Sequence, residues 1–214
     1  MRALAVTVCL TACAPVAQPP VLVPPGESSR DRVSGDSTLS LPPAGYGSLR
    51  QDEFSVEIVD GPLHVKVTPL AEEVIRLAAP DTYDRLRALA GSRQHEAETQ
   101  AGSGGTVLFL VSFFSQEQNV EYRPDEIQIS HRGRIQRASA IVPLTTGWGR
   151  QLLQPQQTQS AIYAFEPPFD YQLPLTVRYG LLQSDDWNQM VLPRLEEERT
   201  RVISRAGGWA GRQR

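Results

Sequence analysis

The sequence predicts a mainly β fold, an antiparallel β-sandwich with an inserted helical segment and a C-terminal helix. Apolar and polar residues alternate in about seven short segments, and Gly, Pro, Asn or Asp residues separate most of them, which is typical of a sandwich. Two other segments carry apolar residues at helical spacing. The folded domain is expected over residues 51–206, and a domain of roughly 155 residues is large enough to fold alone.

The first two strands form a predicted hairpin. Apolar residues alternate with polar ones over residues 54–58 and again over 63–67. Asp60-Gly61 lies between them, and glycine accepts the positive φ that a tight hairpin turn requires.

A helical segment is predicted after this hairpin. Thr68-Pro69 offers an N-cap followed by proline at the first helical position. Pro80 is expected to end this helix, and residues 81–90 are expected to form a second one that stops at Gly91. The polar, glycine-rich segment 91–105 is predicted to be a mobile loop.

The other strands follow that loop. Residues 106–114 are nearly all apolar, which predicts a strand buried on both faces. Ile127 and Ile129 are expected to pair with Ile135 across the turn 131–134. The remaining predicted strands lie at 140–144, which either continues the previous strand or begins another, at 160–165 and at 175–179.

A helix is predicted near the C-terminus. Ser184 is its expected N-cap, and Asp185-Asp186 suit the positive end of the helix dipole. Pro193 either kinks this helix or restarts it. Glu197 and Arg201 are four residues apart and are expected to pair on an exposed face. Residues 207–214 are predicted to be a disordered tail.

The N-terminus resembles that of bacterial lipoproteins. Arg2 precedes an apolar stretch over residues 3–10, and Leu10-Thr11-Ala12-Cys13 resembles a lipobox. The resemblance implies that residues 1–12 are a signal peptide and that Cys13 carries lipid. It also implies a membrane-anchored protein of the cell envelope. Ala14-Pro15 lacks the aspartate of an inner-membrane retention signal, which favours the outer membrane, with the protein facing the periplasm.

Two other interpretations of this segment remain open. Residues 1–12 could be a buried N-terminal strand, or a plain secretory signal cleaved elsewhere. Residues 13–50 hold seven of the chain's prolines among Gly, Ser and Ala, which predicts a flexible tether. Cys9 and Cys13 are the only cysteines, so the predicted domain has no disulfide and no thiolate metal site.

The middle of the chain resembles the secreted bacterial immunoglobulin-like domains found on lipoproteins. The segments that carry this resemblance are 109–114, 122–129, 153–155 and 163–167. Their pattern is typical of strands that are separated by turns containing Asp and Pro and by bends of the Leu-x-Pro and Phe-x-Pro type. The resemblance implies an immunoglobulin-like fold and an envelope location, and no catalytic residue. The chain departs from it in lacking the Cys–Trp–Cys hallmark and in the helical segment at 69–90.

The sequence offers no catalytic or metal-binding motif, so we expect a protein that is not an enzyme and needs no cofactor. His64, His95 and His131 are far apart and lack partners at metal-ligand spacing. The acidic clusters 185–186 and 196–198 are explained by a helix N-terminus and by arginine partners on a solvated face. A net charge of −3 without a basic stripe argues against a nucleic-acid partner.

Two loops carry aromatic residues that could bind a ligand. Trp148 lies between two glycines, and Phe169 and Tyr171 lie in a proline-flanked loop. Aromatic loop tips often contact sugars or proteins, although the same rings could instead cap the core. The leading hypothesis is an anchored domain that recognises or supports another envelope component. The alternative is a periplasmic glycan or small-ligand binding module. An envelope hydrolase would need converging polar groups in a cleft, which the sequence does not predict.

Overall fold

The computed structural model of the protein describes residues 41–210, and the side chains of residues 41–206. The predicted signal peptide, Cys13, residues 14–40 and residues 211–214 lie outside the described residues. The strands are β1 (Val56–Asp60), β2 (Leu63–Pro69), β3 (Val107–Ser115), β4 (Val120–Glu121), β5 (Ile127–His131), β6 (Arg134–Arg137), β7 (Ala140–Pro143), β8 (Leu152–Leu153), β9 (Gln157–Phe165), β10 (Leu175–Tyr179) and β11 (Leu182–Ser184). The α-helices are α1 (Glu72–Ile75), α2 (Pro80–Ala101) and α3 (Leu192–Ala210).

Antiparallel sheets form most of the fold. A five-stranded sheet has the order β1-β2-β3-β9-β7, and a four-stranded sheet has the order β11-β10-β5-β6. Strands β4 and β8 form a separate pair. The predicted β1–β2 hairpin is confirmed, with Val56 opposite Val67 and Gly61 at a φ of +57° in the turn.

Residues 140–144 form a strand of their own. Strand β6 pairs with β5, as predicted for Ile135, whereas β7 pairs with β9 in the five-stranded sheet. The chain therefore crosses between the two sheets at residues 138–139, and of the two alternatives for this segment the second is correct.

Both sheets contribute buried side chains to one core. Phe113 of β3 packs against Tyr179 of β10, with ring centroids 6.0 Å apart, and the Tyr163 hydroxyl of β9 donates to the Pro124 carbonyl at 2.9 Å. Leu110 and Ile162 belong to the opposite face of the five-stranded sheet and are also buried. Helix α2 lies against the neighbouring strands β7 and β9. Strand β3 is thus buried on both faces over most of its length, as its sequence predicts.

The helical insertion differs from the prediction. Helix α1 is a single turn, and Pro80 begins α2 rather than ending a helix. Helix α2 continues through Gly91 to Ala101, so the prediction of a loop over 91–105 is wrong for most of that segment. One interior glycine costs only about 1 kcal/mol, and burial of Ala97 in the core offsets it. The helix ends at Gly102, whose φ of +67° allows its own amide to bond back to the last turn.

The compact part of the chain begins before residue 51. Pro42, Gly47 and Leu49 are buried, and Leu49 forms a parallel bridge with Ala78. A Cβ at position 47 would overlap the backbone of residues 77–78, which explains the glycine. The predicted boundary between tether and domain, at residue 50, is therefore placed too far along the chain. We call residues 41–50 the entry segment.

The C-terminal helix is confirmed. Its N-cap is Asp186 rather than the predicted Ser184, which ends β11 and accepts the Asp186 amide through its hydroxyl at 3.3 Å. A π-helical turn, Trp187–Val191, leads into α3. Pro193 stands in the first turn of α3, directly after the π-helical turn, and the chain is helical without a break on both sides of it. Helix α3 extends to Ala210, so the first part of the predicted 207–214 tail is helical. None of the helices within residues 41–210 has the length and apolarity needed to cross a membrane.

Candidate functional site

Trp148 begins a short 3-10 turn between β7 and β8. Gly147 precedes it with a φ of +89°, and Gln151 follows the turn with a φ of +53°. These two residues, both in the left-handed backbone region, bound the turn before and after. The Arg150 amide closes the turn on the Gly147 carbonyl at 3.0 Å.

The Trp148 ring packs on the core rather than standing free. Its centroid lies 5.5 Å from that of Tyr122, 5.8 Å from Phe113 and 6.5 Å from Tyr163. The Tyr122 hydroxyl also donates to the Trp148 carbonyl at 2.8 Å. The indole is half-buried, so it caps this end of the core and holds the loop in place.

A groove of about 550 Å³ lies beside this turn. Amide and hydroxyl side chains form most of its wall, with one cation and one apolar side chain. It is lined by Thr146, Gly147, Arg150, Leu152, Gln154, Gln157 and Gln159. Its volume falls within the range of about 300–1,000 Å³ that is usual for small-ligand sites. We call it the glutamine groove.

Of the three glutamines that line this groove, Gln157 and Gln159 make side-chain hydrogen bonds and Gln154 faces solvent. Gln159 is buried, contacts the Thr145 hydroxyl, and donates through Nε2 to the Thr146 carbonyl at 3.3 Å. The Gln157 side-chain oxygen accepts a hydrogen bond from the backbone N–H of Gln154 at 2.9 Å. The Gln157 Nε2, the whole Gln154 side-chain amide and the Arg150 guanidinium make no hydrogen bond within residues 41–206. These groups are free to contact a ligand.

Phe169 and Tyr171 lie at a different end of the core. Their rings are 6.1 Å apart, and both contact Phe109, at 5.5 and 6.0 Å. Trp148 packs instead on Phe113, four residues further along β3, which is about 13 Å at 3.3 Å per residue. The three aromatic residues that the sequence singles out therefore do not form one site.

Tyr171 is not an exposed loop tip, because only 3% of the residue is accessible. Its hydroxyl is buried without a hydrogen-bond partner among the described residues. Burial, and then the charge of Glu73, raise the pKa of Tyr171 well above 10. Phe169 is half-buried and stacks on His131, with ring centroids 5.3 Å apart. These two rings therefore serve mainly to pack the loop.

A second groove, of about 520 Å³, runs past Phe169 between α1 and α2. Glu72 in its wall is paired with Arg76 at 2.6 Å and with Arg87 at 3.5 Å. Glu73 has no ion pair within residues 41–206, and desolvation raises the pKa of its carboxyl, an effect that Arg199 opposes and Asp170 reinforces. The wall of this second groove is more apolar than that of the glutamine groove. Among the charged residues within 41–206 that line it, only Glu73 has no ion pair.

Two of the three histidines, His64 and His131, have local structural partners, whereas His95 is exposed on α2. His64 Nδ1 lies 2.9 Å from Glu57 Oε1 on an exposed sheet face. His131 is buried, and its Nε2 accepts the Asp170 amide at 3.1 Å. The proton must then lie on Nδ1, which donates to the Pro174 carbonyl at 3.3 Å. No group of three or more His, Cys, Asp or Glu side chains within the described part of the chain is placed to hold a metal ion.

The acidic cluster 196–198 is only partly a solvated face. Glu197 is exposed and pairs with Arg201, as predicted. Glu198 is 1% exposed, which contradicts the prediction of a solvated face. Its Oε1 accepts the Ser48 hydroxyl at 2.8 Å and Arg205 Nη1 at 2.9 Å. Glu198 thus ties the entry segment to α3.

Sequence reasoning missed the glutamine groove and the role of Glu198. Five glutamines among residues 151–159 are the signal that could have indicated the groove. Nothing in the sequence distinguishes Glu198 from its acidic neighbours, because its burial depends on a segment about 150 residues away. The glutamine groove, with free polar groups beside a fixed turn, is the best candidate for a binding site. Comparisons of the chain with models of known protein families, with curated proteins and with solved structures found no match.

Proposed function

We propose that this protein is a lipid-anchored component of the bacterial cell envelope, and that its domain recognises or supports another envelope component without catalysis. The observation that carries the proposal is Leu10-Thr11-Ala12-Cys13 after a short apolar stretch. Two or more acyl chains on one residue would anchor the protein stably, since each buried methylene contributes about 0.8 kcal/mol. The anchor would hold the protein at the outer membrane, facing the periplasm.

The architecture is compatible with this proposal. Two antiparallel sheets share one core, as an immunoglobulin-like sandwich would require, and such domains commonly serve recognition. The entry segment is bound to the domain by Leu49 and by Ser48. A tether that joins the domain at residue 41 would therefore end at a fixed point.

The lipid anchor can be tested with two cysteine variants. A metabolic acyl label should enter the wild type and the matched control Cys9→Ala, because position 9 lies in the proposed signal peptide. The Cys13→Ala variant should take up no label and should leave the membrane fraction. Labelling that survives Cys13→Ala, or a wild type that takes up no label, refutes the proposal.

A second candidate function is glycan binding in the glutamine groove. The observation that favours it is a wall of free amide groups beside Arg150 and exposed Leu152. Saccharides offer many hydroxyl groups in fixed directions, and side-chain amides can both donate to and accept from them. Trp148 would then act as a support for the groove rather than as a stacking platform.

Glycan binding can be tested by titrating the full chain with cell-wall saccharides and following tryptophan fluorescence. Gln154→Ala should weaken binding, while Gln189→Ala, which removes an exposed glutamine outside the groove, should leave it unchanged. Trp148→Phe keeps the core filled and should remove part of the fluorescence response. If none of a broad set of saccharides produces a response, this candidate is wrong.

A further inference from the structure

The charge of the glutamine groove is positive. Among the described residues, Arg150 is the only charged one that lines it, and no carboxylate does. Arg150 is exposed and makes no ion pair within residues 41–206. A guanidinium carries five N–H donors, and its planar geometry fits a carboxylate through two parallel hydrogen bonds.

The turn fixes the backbone from which this guanidinium extends. Left-handed Gly147 and Gln151 flank the 3-10 turn, and the Arg150 amide is bonded within it. In the same groove, the Gln157 side-chain amide is held by the Gln154 backbone N–H, whereas the Gln154 side-chain amide faces solvent. The fixed turn and the held Gln157 side chain therefore lose little conformational entropy when a ligand binds.

We propose that the glutamine groove binds a saccharide that carries a carboxylate. The carboxylate lies on the Arg150 guanidinium, and ring hydroxyl groups contact the side-chain amides of Gln154 and Gln157. Leu152, 44% exposed in the wall, contacts the C–H face of the sugar ring. This assignment rests on the second candidate function, and it names the class of glycan.

Glucuronate and glucose are matched probes, because they share a ring and differ in the carboxylate. We expect the full chain to bind glucuronate at least about tenfold more tightly than glucose, as a charge-assisted bidentate contact would give. Binding is followed by titration calorimetry, or by chemical-shift changes where affinity is low. Added salt should weaken glucuronate binding and leave glucose binding unchanged.

Two arginine variants complete the experiment. Arg150→Gln should reduce glucuronate affinity to that for glucose, without changing the circular dichroism spectrum. Arg134→Gln removes an exposed arginine on β6, outside the groove, and should change neither affinity. Equal affinity for both sugars, or unchanged glucuronate affinity in Arg150→Gln, overturns the carboxylate assignment while leaving glycan binding in place. Absence of binding by both sugars overturns the assignment, and failure of a wider saccharide set also overturns the second candidate function.

Discussion

Replacing Glu198 by alanine should weaken the attachment of the entry segment to α3, whereas the same change at Glu197 should have almost no effect. Glu198 is buried and accepts hydrogen bonds from Ser48 and Arg205. Hydrogen bonds to a charged group contribute about 1.5–3 kcal/mol each. Removing the carboxylate also removes its desolvation cost, and Arg205, whose side chain is 43% exposed, can be hydrated in the variant. The net loss in free energy of unfolding should be about 2–3 kcal/mol.

Glu197 is the matched control because its pair with Arg201 is exposed, and such pairs contribute about 0–1 kcal/mol. Urea denaturation followed by circular dichroism measures both variants. The Glu198→Ala loss corresponds to a fall in melting temperature of about 5–10 °C for a domain of this size. Hydrogen exchange provides a local measurement, because the Ala79 amide donates to the Leu49 carbonyl at 2.9 Å. The Ala79 amide should exchange faster in Glu198→Ala but not in Glu197→Ala. If the two variants differ by less than about 0.5 kcal/mol, Glu198 does not hold the entry segment.

Three further predictions concern α2, the Trp148 turn and the second groove. Gly91→Ala should stabilise the protein by about 0.5–1 kcal/mol, since a Cβ there meets no neighbour. Gly102→Ala should destabilise it, because the φ of residue 102 is positive. Thermal melts in which Gly102→Ala is the more stable variant would contradict a continuous α2. Trp148→Ala should lower the free energy of unfolding by about 2–3 kcal/mol, and Trp148→Phe should lower it much less. An unchanged urea midpoint for the alanine variant would show that the indole is not part of the core. Desolvation raises the pKa of Glu73 in the folded state, so its contribution to stability is present below its unfolded pKa and is lost as pH rises through the folded value. Glu73→Gln should therefore raise the melting temperature near pH 7 and leave it unchanged near pH 3. An equal shift at both pH values would show that desolvation of the Glu73 carboxylate is not the cause.

Local sequence patterns predict the strands well, because alternation and turn residues act within a few positions. The β1–β2 hairpin and β3 follow directly from such patterns. The pairing of β7 with β9 could not be decided from the sequence, since both partners were compatible with its short apolar run. Helix α2 was predicted too short because its second half is polar and includes Gly91. Tertiary contacts of Ala97 and the Gln94–Glu98 hydrogen bond at 2.6 Å outweigh that weak local preference.

The candidate sites depended still more on tertiary structure. Trp148 was identified correctly as a loop residue, but the packing of its ring on Tyr122 and Phe113 depends on strands that are distant in sequence. Nothing in the sequence singles out Arg150, because the positive charge of the groove depends on the lack of a lining carboxylate among residues 41–206. The lipid anchor at Cys13 and the tether that follows it stay predictions.

The contact between Arg205 and the Tyr46 carbonyl has a kinetic consequence. The two residues are 159 positions apart, and the contact requires helix α3, the last element that the structure describes. Contacts between distant positions must first overcome the entropy of closing the intervening chain, so they tend to form late. During synthesis, the contacts of Tyr46 and Ser48 with α3 would thus form only after α3 has emerged and packed. A chain interrupted before α3 would lack both contacts, and the bridge between Leu49 and residues 77–79 would have to hold residues 41–50 without them.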